Sequence, residues 1–332
     1  MHLEYSICLI IPYFGIFQNY FNLFLQSCAA NPTINWIIFT DNQEHYDYPD
    51  NVKRIFMTFS QMQERVQRKF DFPVVLQKPY KLCDYKVAYG YLFEDELKGY
   101  DFWGYCDVDV LFGDLRGFLT EDILSTYDKL GHLGHLTLFR NTEENNRLFM
   151  SQIDRRERYK EVFSTPHICV FDEWDYPSIN DIFLQKNKRI VSLNAIADIY
   201  PNDSYFRVVS FDMQNRKQVF DRRNCLIRWE NGHVFLMWKS NQIWQEEECL
   251  YVHLQKRNMI YSPVKNKNRF YIIPDRFIDD NISLDTLYSI CKKKKVLNIA
   301  RWKYTYKKYR YCLIEKTGPV RHWFRDKWRK KR

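Results

Sequence analysis

Apolar residues fall in short runs separated by polar turns, and their spacing alternates between strand and helix periods. Ser6 to Pro12 (SICLIIP) is an unbroken apolar run of strand length, the pattern of a strand covered on both faces. Asn19 to Ala29 sets Tyr20, Phe21, Leu23, Phe24 and Cys28 at helical spacing, and Asn31-Pro32 ends that helix. Asn35 to Thr40 and Val52 to Phe59 predict two more strands. Ser60 then predicts a helix cap, with Gln63 in the capping-box position. Strand, helix, strand, strand, helix predicts the opening of an α/β sheet. Tyr80 to Leu97 predicts a helix with Leu82, Tyr85, Ala88, Tyr89, Leu92 and Phe93 on one face, closed by Gly99. Phe102 to Phe112 and His132 to Phe139 read as further strands, and Asn145 to Met150 opens a charged helical region. Residues 188–240 alternate like an antiparallel sheet, with a hairpin signal at Glu230-Asn231-Gly232.

Length and composition narrow the class. The 332 residues allow one large α/β domain or two smaller ones. A hydrophobic content of 45% and an aromatic content of 17% exclude a disordered chain, and 10 glycines with 11 prolines exclude fibrous classes. No apolar run is long enough for a transmembrane helix, and Ile7 to Pro12 is too short for a signal segment. The nine cysteines include no C-x-x-C pair, as expected of free thiols in a reducing cytoplasm.

Charge divides the chain. Residues 292–332 hold 17 Lys/Arg against 2 Asp/Glu, a net +15 within a total of +9, so the remainder is −6. This shift predicts a catalytic-type α/β domain over 1–290 and a basic tail over 291–332. In the tail Ile299, Trp302, Tyr306, Tyr309 and Leu313 follow helical spacing opposite Arg301, Lys303, Lys307, Lys308 and Arg310. A basic aromatic helix of this kind fits an anionic membrane surface. Mixed aromatic and basic residues also suit single-stranded nucleic acid, but aromatics gathered on one helical face favour the membrane, and no nucleic acid is expected.

The sharpest chemical signal is Cys106-Asp107-Val108-Asp109-Val110. Two carboxylates spaced i, i+2 between apolar flanks point to one side of an extended chain and sit at a buried edge. Oxygen ligands suit a hard cation such as Mg²⁺ or Mn²⁺, and such ions are held by carboxylates together with substrate phosphates. Open parallel sheets bind ligands beyond their strand carboxyl ends. That edge would gather Tyr13 (stacking on a base), Gly15 (close backbone approach) and Asp41 (a ribose or base acceptor, or equally a turn residue). Lys81 and Asp84 share a helix face, as a surface ion pair or as a pair turned to the sheet edge, and Lys86 suits a phosphate. A metal-dependent nucleotidyl- or phosphotransferase would use the same carboxylates.

Six segments, taken together, resemble a known family: IIPYFG at 10–15, Asn35 to Asp41, PYKLCDYKVAYG at 79–90, GYDFWGYCDVDVLFG at 99–113, GHLTLFRNTEENN at 134–146 and VHLQKR at 252–257. They resemble an uncharacterised, DUF6625-like bacterial family of GT-A-type glycosyltransferases found with surface-polysaccharide genes, over roughly residues 5–260. The resemblance implies a GT-A-like fold, a nucleotide-sugar donor (a UDP-sugar favoured), a glycan or lipid-linked acceptor, and a divalent metal at Asp107 and Asp109. It implies His253 as a third metal ligand, and Lys256 or Arg257 as a clamp on the departing diphosphate, only one of the two facing it. His132, His135 and Arg140 would line the donor-sugar pocket. For an inverting reaction, Asp172-Glu173 would supply the base; a retaining enzyme would need none. The place implied is cytoplasmic, peripheral on the inner membrane face.

Overall fold

A computed structural model describes residues 5–199, 205–212, 215–261, 266 and 268–293. The basic tail predicted over 291–332 lies outside the described residues beyond 293. The described residues are mixed α/β, built on three sheets.

The chain opens with β1 (Ile7–Pro12), helix α1 (Phe21–Ala29), β2 (Ile34–Thr40), β3 (Val52–Phe56), helix α2 (Phe59–Arg68) and β4 (Phe102–Cys106). Next come β5 (Val110–Phe112), β6 (Lys129–Leu133), β7 (Leu136–Arg140) and β8 (Ile190–Val191). Seven of these strands form one mixed sheet in the order β3-β2-β1-β4-β7-β6-β8. The β1–β4 block is parallel, and β7 runs antiparallel to β4. The alternation inside β1 explains why the whole run is apolar. Cys8 and Ile10 enter the core on one face with Met62 and Val66 of α2. Ile7, Leu9 and Ile11 enter the core on the other face with Phe21 and Phe24 of α1.

β9 (Ile196–Asp198), β10 (Phe206–Phe211) and β11 (Lys217–Arg222) follow, then β12 (Leu226–Glu230), β13 (His233–Ser240), β14 (Ile243–Cys249) and β15 (Tyr251–His253). The second sheet has the order β11-β10-β9-β15-β5. The third is antiparallel, pairing β12 to β14 with β16 (Arg269–Ile273) and β17 (Arg276–Asp279). The β12–β13 turn has positive φ at Asn231 (49°) and Gly232 (85°), as its Asn-Gly pair predicts.

Four local expectations are corrected. The α2 cap is Thr58, boxed with Gln61, because the strand before it stops at Phe56. The 80–97 helix is broken into four one-turn pieces, Pro79–Lys81, Leu82–Tyr85, Lys86–Ala88 and Tyr89–Leu92. The run 132–139 is two strands with a turn at Gly134-His135 between them. Asp107 and Asp109 lie on a turn between β4 of the first sheet and β5 of the second, not on one strand. The eight described cysteines are free. No helix among the described residues is long and apolar enough to cross a membrane.

Candidate active site

The break between β4 and β5 aims both aspartates at one point. Asp109 is buried, and its Oδ2 accepts the backbone N–H of Lys256. Gln255 and Lys256 both take left-handed φ of 54°, the turn that swings this N–H onto the carboxylate. Asp109 Oδ1 stands 3.6 Å from His253 Nε2 and has no hydrogen-bond partner. Asp107, Asp109 and His253 each offer a ligand atom, all within 4.8 Å of one another. A buried carboxylate oxygen without a hydrogen-bond partner, facing an imidazole nitrogen, fits an oxygen-and-imidazole cation site.

The register of the second sheet holds this cluster. His253 pairs with Val110 of β5 on one side and with Asp198 of β9 on the other. His253 Nδ1 lies 3.1 Å from Asp198 Oδ1, which Gln255 Nε2 also meets at 3.1 Å. The arrangement directs Nε2 to the cluster and Nδ1 to Asp198. Burial disfavours the charged ring, but Asp109 and Asp198 outweigh it and raise the His253 pKa to about 10. His135 stacks on His253 with ring centroids 4.1 Å apart, and its Nδ1 meets the Tyr251 hydroxyl at 2.7 Å. Burial and the neighbouring His253 push its pKa well below the ordinary value, so His135 is neutral.

Lys86 joins this cluster to a second acidic pair. Its Nζ donates to Asp107 Oδ1 and to the Gly134 carbonyl, each at 2.7 Å, and lies 4.0 Å from Asp172 Oδ2. Burial opposes ionisation of Asp107, but Lys86, His253 and Lys256 hold its pKa below the ordinary value. Asp172 is 4% exposed, and burial raises its pKa to about 7, with Glu173 and Asp107 adding to the rise against the pull of Lys86. Glu173 accepts the Gly134 N–H at 2.7 Å. Its pKa is also raised by burial, although that N–H and Lys217 lower it. Gly134 is needed here for space, since a Cβ there would stand 2.3 Å from Asp172 Oδ2.

The cleft has two lobes. One, of about 360 Å³, is lined by Ile11, Pro12, Tyr13, Phe14 and Gln18 at the end of β1. The other, of about 420 Å³, is lined by His135, Asp172, Glu173, Trp174, Lys217 and His253. Tyr80, Cys83, Lys86, Asp107, Asp109 and Lys256 line both and form the neck between them. The Lys256 ammonium rests 4.2 Å from the Tyr80 ring centroid. Each volume lies within the range of small-molecule sites.

Several expected ligand contacts are corrected. Lys81 and Asp84 are a buried pair 2.7 Å apart and do not line the cleft. Lys81 also donates to the Val162 and His167 carbonyls, and Asp84 accepts the backbone N–H of Cys169 and Phe171. Their capacity is spent fastening residues 162–171. Arg140 lies at the opposite sheet edge, paired with Phe102 where β4 begins, and donates to the carbonyls of Leu124, Ser125 and Tyr127. Arg257 turns away to the Pro274 carbonyl. His132 meets Ser192 and lines neither lobe. Asp41 accepts the Gly15 N–H at 2.8 Å, where Gly15 has φ 110°, so this pair shapes the loop after β1. Tyr13 stacks on Phe17 at 4.7 Å with one side in the first lobe. Asp198, Lys217, Trp174 and Gln255 are among the lining residues that the sequence reading missed. Asp198 had one signal, a carboxylate closing the apolar pair Ile196-Ala197.

No curated protein matches the sequence. Among solved structures, the galactosyltransferase LgtC in complex with donor and acceptor sugar analogs is similar over 57% of this chain and 75% of its own, at 12% identity and a TM-score of 0.34. That likeness is too distant to carry a function across. The sequence match is broader: residues 9–281 fit the model of the family of unknown function DUF6625, and the chain belongs to that family.

Proposed function

We propose that this protein is a metal-dependent, GT-A-like glycosyltransferase that moves a sugar from a nucleoside-diphosphate donor to a glycan or lipid-linked acceptor. The observation that carries the reading is the two-lobed cleft, with two potential cation ligands, Asp107 and Asp109, at its neck, a third, His253, beside them in one lobe, and a second acid pair in that same lobe. Two lobes give places for two substrates, and the neck is where a group would pass between them.

The donor's nucleoside fits the lobe beside Tyr13 and Phe14, with its diphosphate at the neck. Asp107, Asp109 and His253 Nε2 would hold Mn²⁺ or Mg²⁺, and the bound ion would supply charge neutralisation to a departing diphosphate. Lys86 and Lys256 add positive charge at the same place. Asp172 faces the other lobe. A carboxylate with a pKa near 7 is suited to accept a proton from an acceptor hydroxyl, as an inverting reaction requires. Glu173, fixed by the Gly134 N–H, sets the angle of that loop. We place residues 292–332, with their net +15, on an anionic membrane at the cytoplasmic face, where a lipid-linked acceptor would lie.

The test is a calorimetric titration of UDP-, GDP-, CMP- and dTDP-sugars with and without Mn²⁺, on the wild type and on Asp109→Asn. Mn²⁺-dependent binding of one donor, lost in the variant, supports the reading, and a UDP-sugar is expected. Binding that ignores both Mn²⁺ and Asp109 refutes it, and pyrophosphate as product would replace it with nucleotidyl transfer. Removing 292–332 should abolish co-sedimentation with phosphatidylglycerol vesicles; undiminished co-sedimentation would remove the tail from the proposal.

A further inference from the structure

Trp174 is the one tryptophan at the cleft among the described residues, and it is 62% exposed. An indole at the rim of a cleft offers a large flat apolar face with a polar N–H at its edge. Its loop is firmly held from beneath. Phe171 is fully buried, and its N–H reaches the buried Asp84 carboxylate. Asn180 Nδ2 donates to the Glu173 carbonyl at 2.7 Å, and Arg158 binds Asp175 at 2.6 Å. The Trp174 N–H returns to the Val170 carbonyl at 3.3 Å. The indole is therefore carried on a braced turn, one residue beyond Glu173 and two beyond Asp172.

The surroundings of the ring divide by chemistry. Ile168, 41% exposed, and Val170 line the same lobe and extend the apolar surface. Asp172, Glu173, Gln255 and Lys217 supply polar groups to the lobe, and the Lys217 ammonium lies over one side of the indole, 5.5 Å from its centroid. A flat apolar plate bordered by hydrogen-bonding groups matches a pyranose, which has a C–H face and a hydroxyl edge. A lipid chain would leave the polar groups unpaired.

We propose that Trp174 is the stacking platform for the terminal sugar ring of a saccharide acceptor, presenting one of its hydroxyls to Asp172. This rests on the second lobe being the acceptor lobe. The apolar face of the ring lies on the indole and Ile168, while Lys217 and Gln255 donate to hydroxyls at its edge. Specificity follows: sugars with an uninterrupted C–H face bind better than epimers whose axial hydroxyl breaks that face.

The experiment is saturation-transfer NMR on the full chain with a panel of methyl glycosides and disaccharides of glucose, galactose, mannose and N-acetylglucosamine. The wild type, Trp174→Ala and Trp174→Phe are compared, with the nucleotide-sugar titration run in parallel. The expected result is saturation concentrated on the C–H protons of one ring, reduced at least threefold in Trp174→Ala and largely restored in Trp174→Phe. With the preferred sugar as acceptor, KM should rise about tenfold in Trp174→Ala with kcat changed less than twofold. Equal saturation in all three proteins, or none from any sugar with the wild type, overturns the proposal. Loss of vesicle binding in Trp174→Ala with sugar contact unchanged also overturns it, in favour of a lipid contact. If donor binding with Mn²⁺ persists in these cases, only the acceptor assignment falls; if no donor binds, the transferase reading falls with it.

Discussion

Replacing Asp172 by asparagine should make the protein more stable and inactive at once. Asp172 is 4% exposed, and burial sets its pKa at about 7 against an ordinary 3.8. Such a group carries a penalty in the folded state whenever it is ionised. Below pH 3.8 the carboxyl is neutral both folded and unfolded, and the penalty is absent. Between about 4 and 7 the unfolded chain releases the proton while the folded chain retains it, so stability falls as pH rises. Above 7 both are ionised and the full penalty remains. A rise of about 3 pKa units corresponds to roughly 4 kcal/mol, an upper bound because Lys86 stays nearby and the new amide must find partners. Asparagine removes the charge at nearly constant volume.

The assay is urea denaturation of wild type and Asp172→Asn at pH 4 and pH 8, alongside transfer rates. The variant should gain about 2–4 kcal/mol over wild type at pH 8, with most of the gain gone at pH 4. Transfer should fall at least a hundredfold, since the proton acceptor is lost. Wild-type kcat should rise with pH through about 7 as the carboxyl ionises. A variant less stable than wild type by the same amount at both pH values would refute the assignment. Asp172 would then be a structural hydrogen-bonding group with no strained charge.

The remaining predictions concern its neighbours. Asp198→Asn should weaken Mn²⁺ binding about 10- to 100-fold, measured by electron paramagnetic resonance, because His253 Nδ1 loses its carboxylate partner; unchanged affinity would remove His253 from the cation site. In Gly134→Ala the new Cβ would meet Asp172 Oδ2 at 2.3 Å and Glu173 Oε1 at 2.9 Å, so kcat should drop about a hundredfold while donor affinity stays put; an equal loss of donor binding would show that Gly134 serves the other lobe. Lys81→Met should cost about 3–5 kcal/mol of stability, since it strands the buried Asp84, and loss below 1 kcal/mol in denaturant melts would return Lys81 to the list of ligand-facing residues.

What the sequence disclosed depended on how local each signal was. β1 was legible because a continuous apolar run has one simple explanation, burial on both faces. The convergence of Asp107 and Asp109 was expected, but for an incomplete reason. The two acids share a target because the chain leaves one sheet for another between them, and no periodicity encodes that bend. The Gly134-His135 turn was hidden because the residues flanking it are apolar, so β6 and β7 read as one run. Asp198 offered one local signal, but its partner was hidden for a different reason. It lies 55 positions before His253, and only the parallel pairing of β9 with β15 sets the two opposite each other.

Lys81 and Lys86 show most plainly where sequence reasoning ends. Both lie on what looked like one amphipathic helix, each near an acid: Lys81 read as a partner of Asp84, at the surface or turned to the sheet edge, and Lys86 as suited to a phosphate. The observed backbone changes from one-turn piece to one-turn piece across these residues, which redirects side chains that a regular helix would hold in fixed relation. Lys81 is turned inward, where the carbonyls of Val162 and His167 and the Asp84 carboxylate take up its donors. Lys86 reaches the cleft, between the Asp107 cluster and Asp172. The two lysines thereby divide the work: the buried pair fixes the loop that carries Asp172, Glu173 and Trp174, and the cleft lysine sets the charge those acids experience. A Lys86→Met variant should keep its fold and shift the pH profile of transfer upward, because Asp172 loses the lowering pull of Lys86; a profile unmoved in that variant would mean that Asp172 does not sense the cleft lysine.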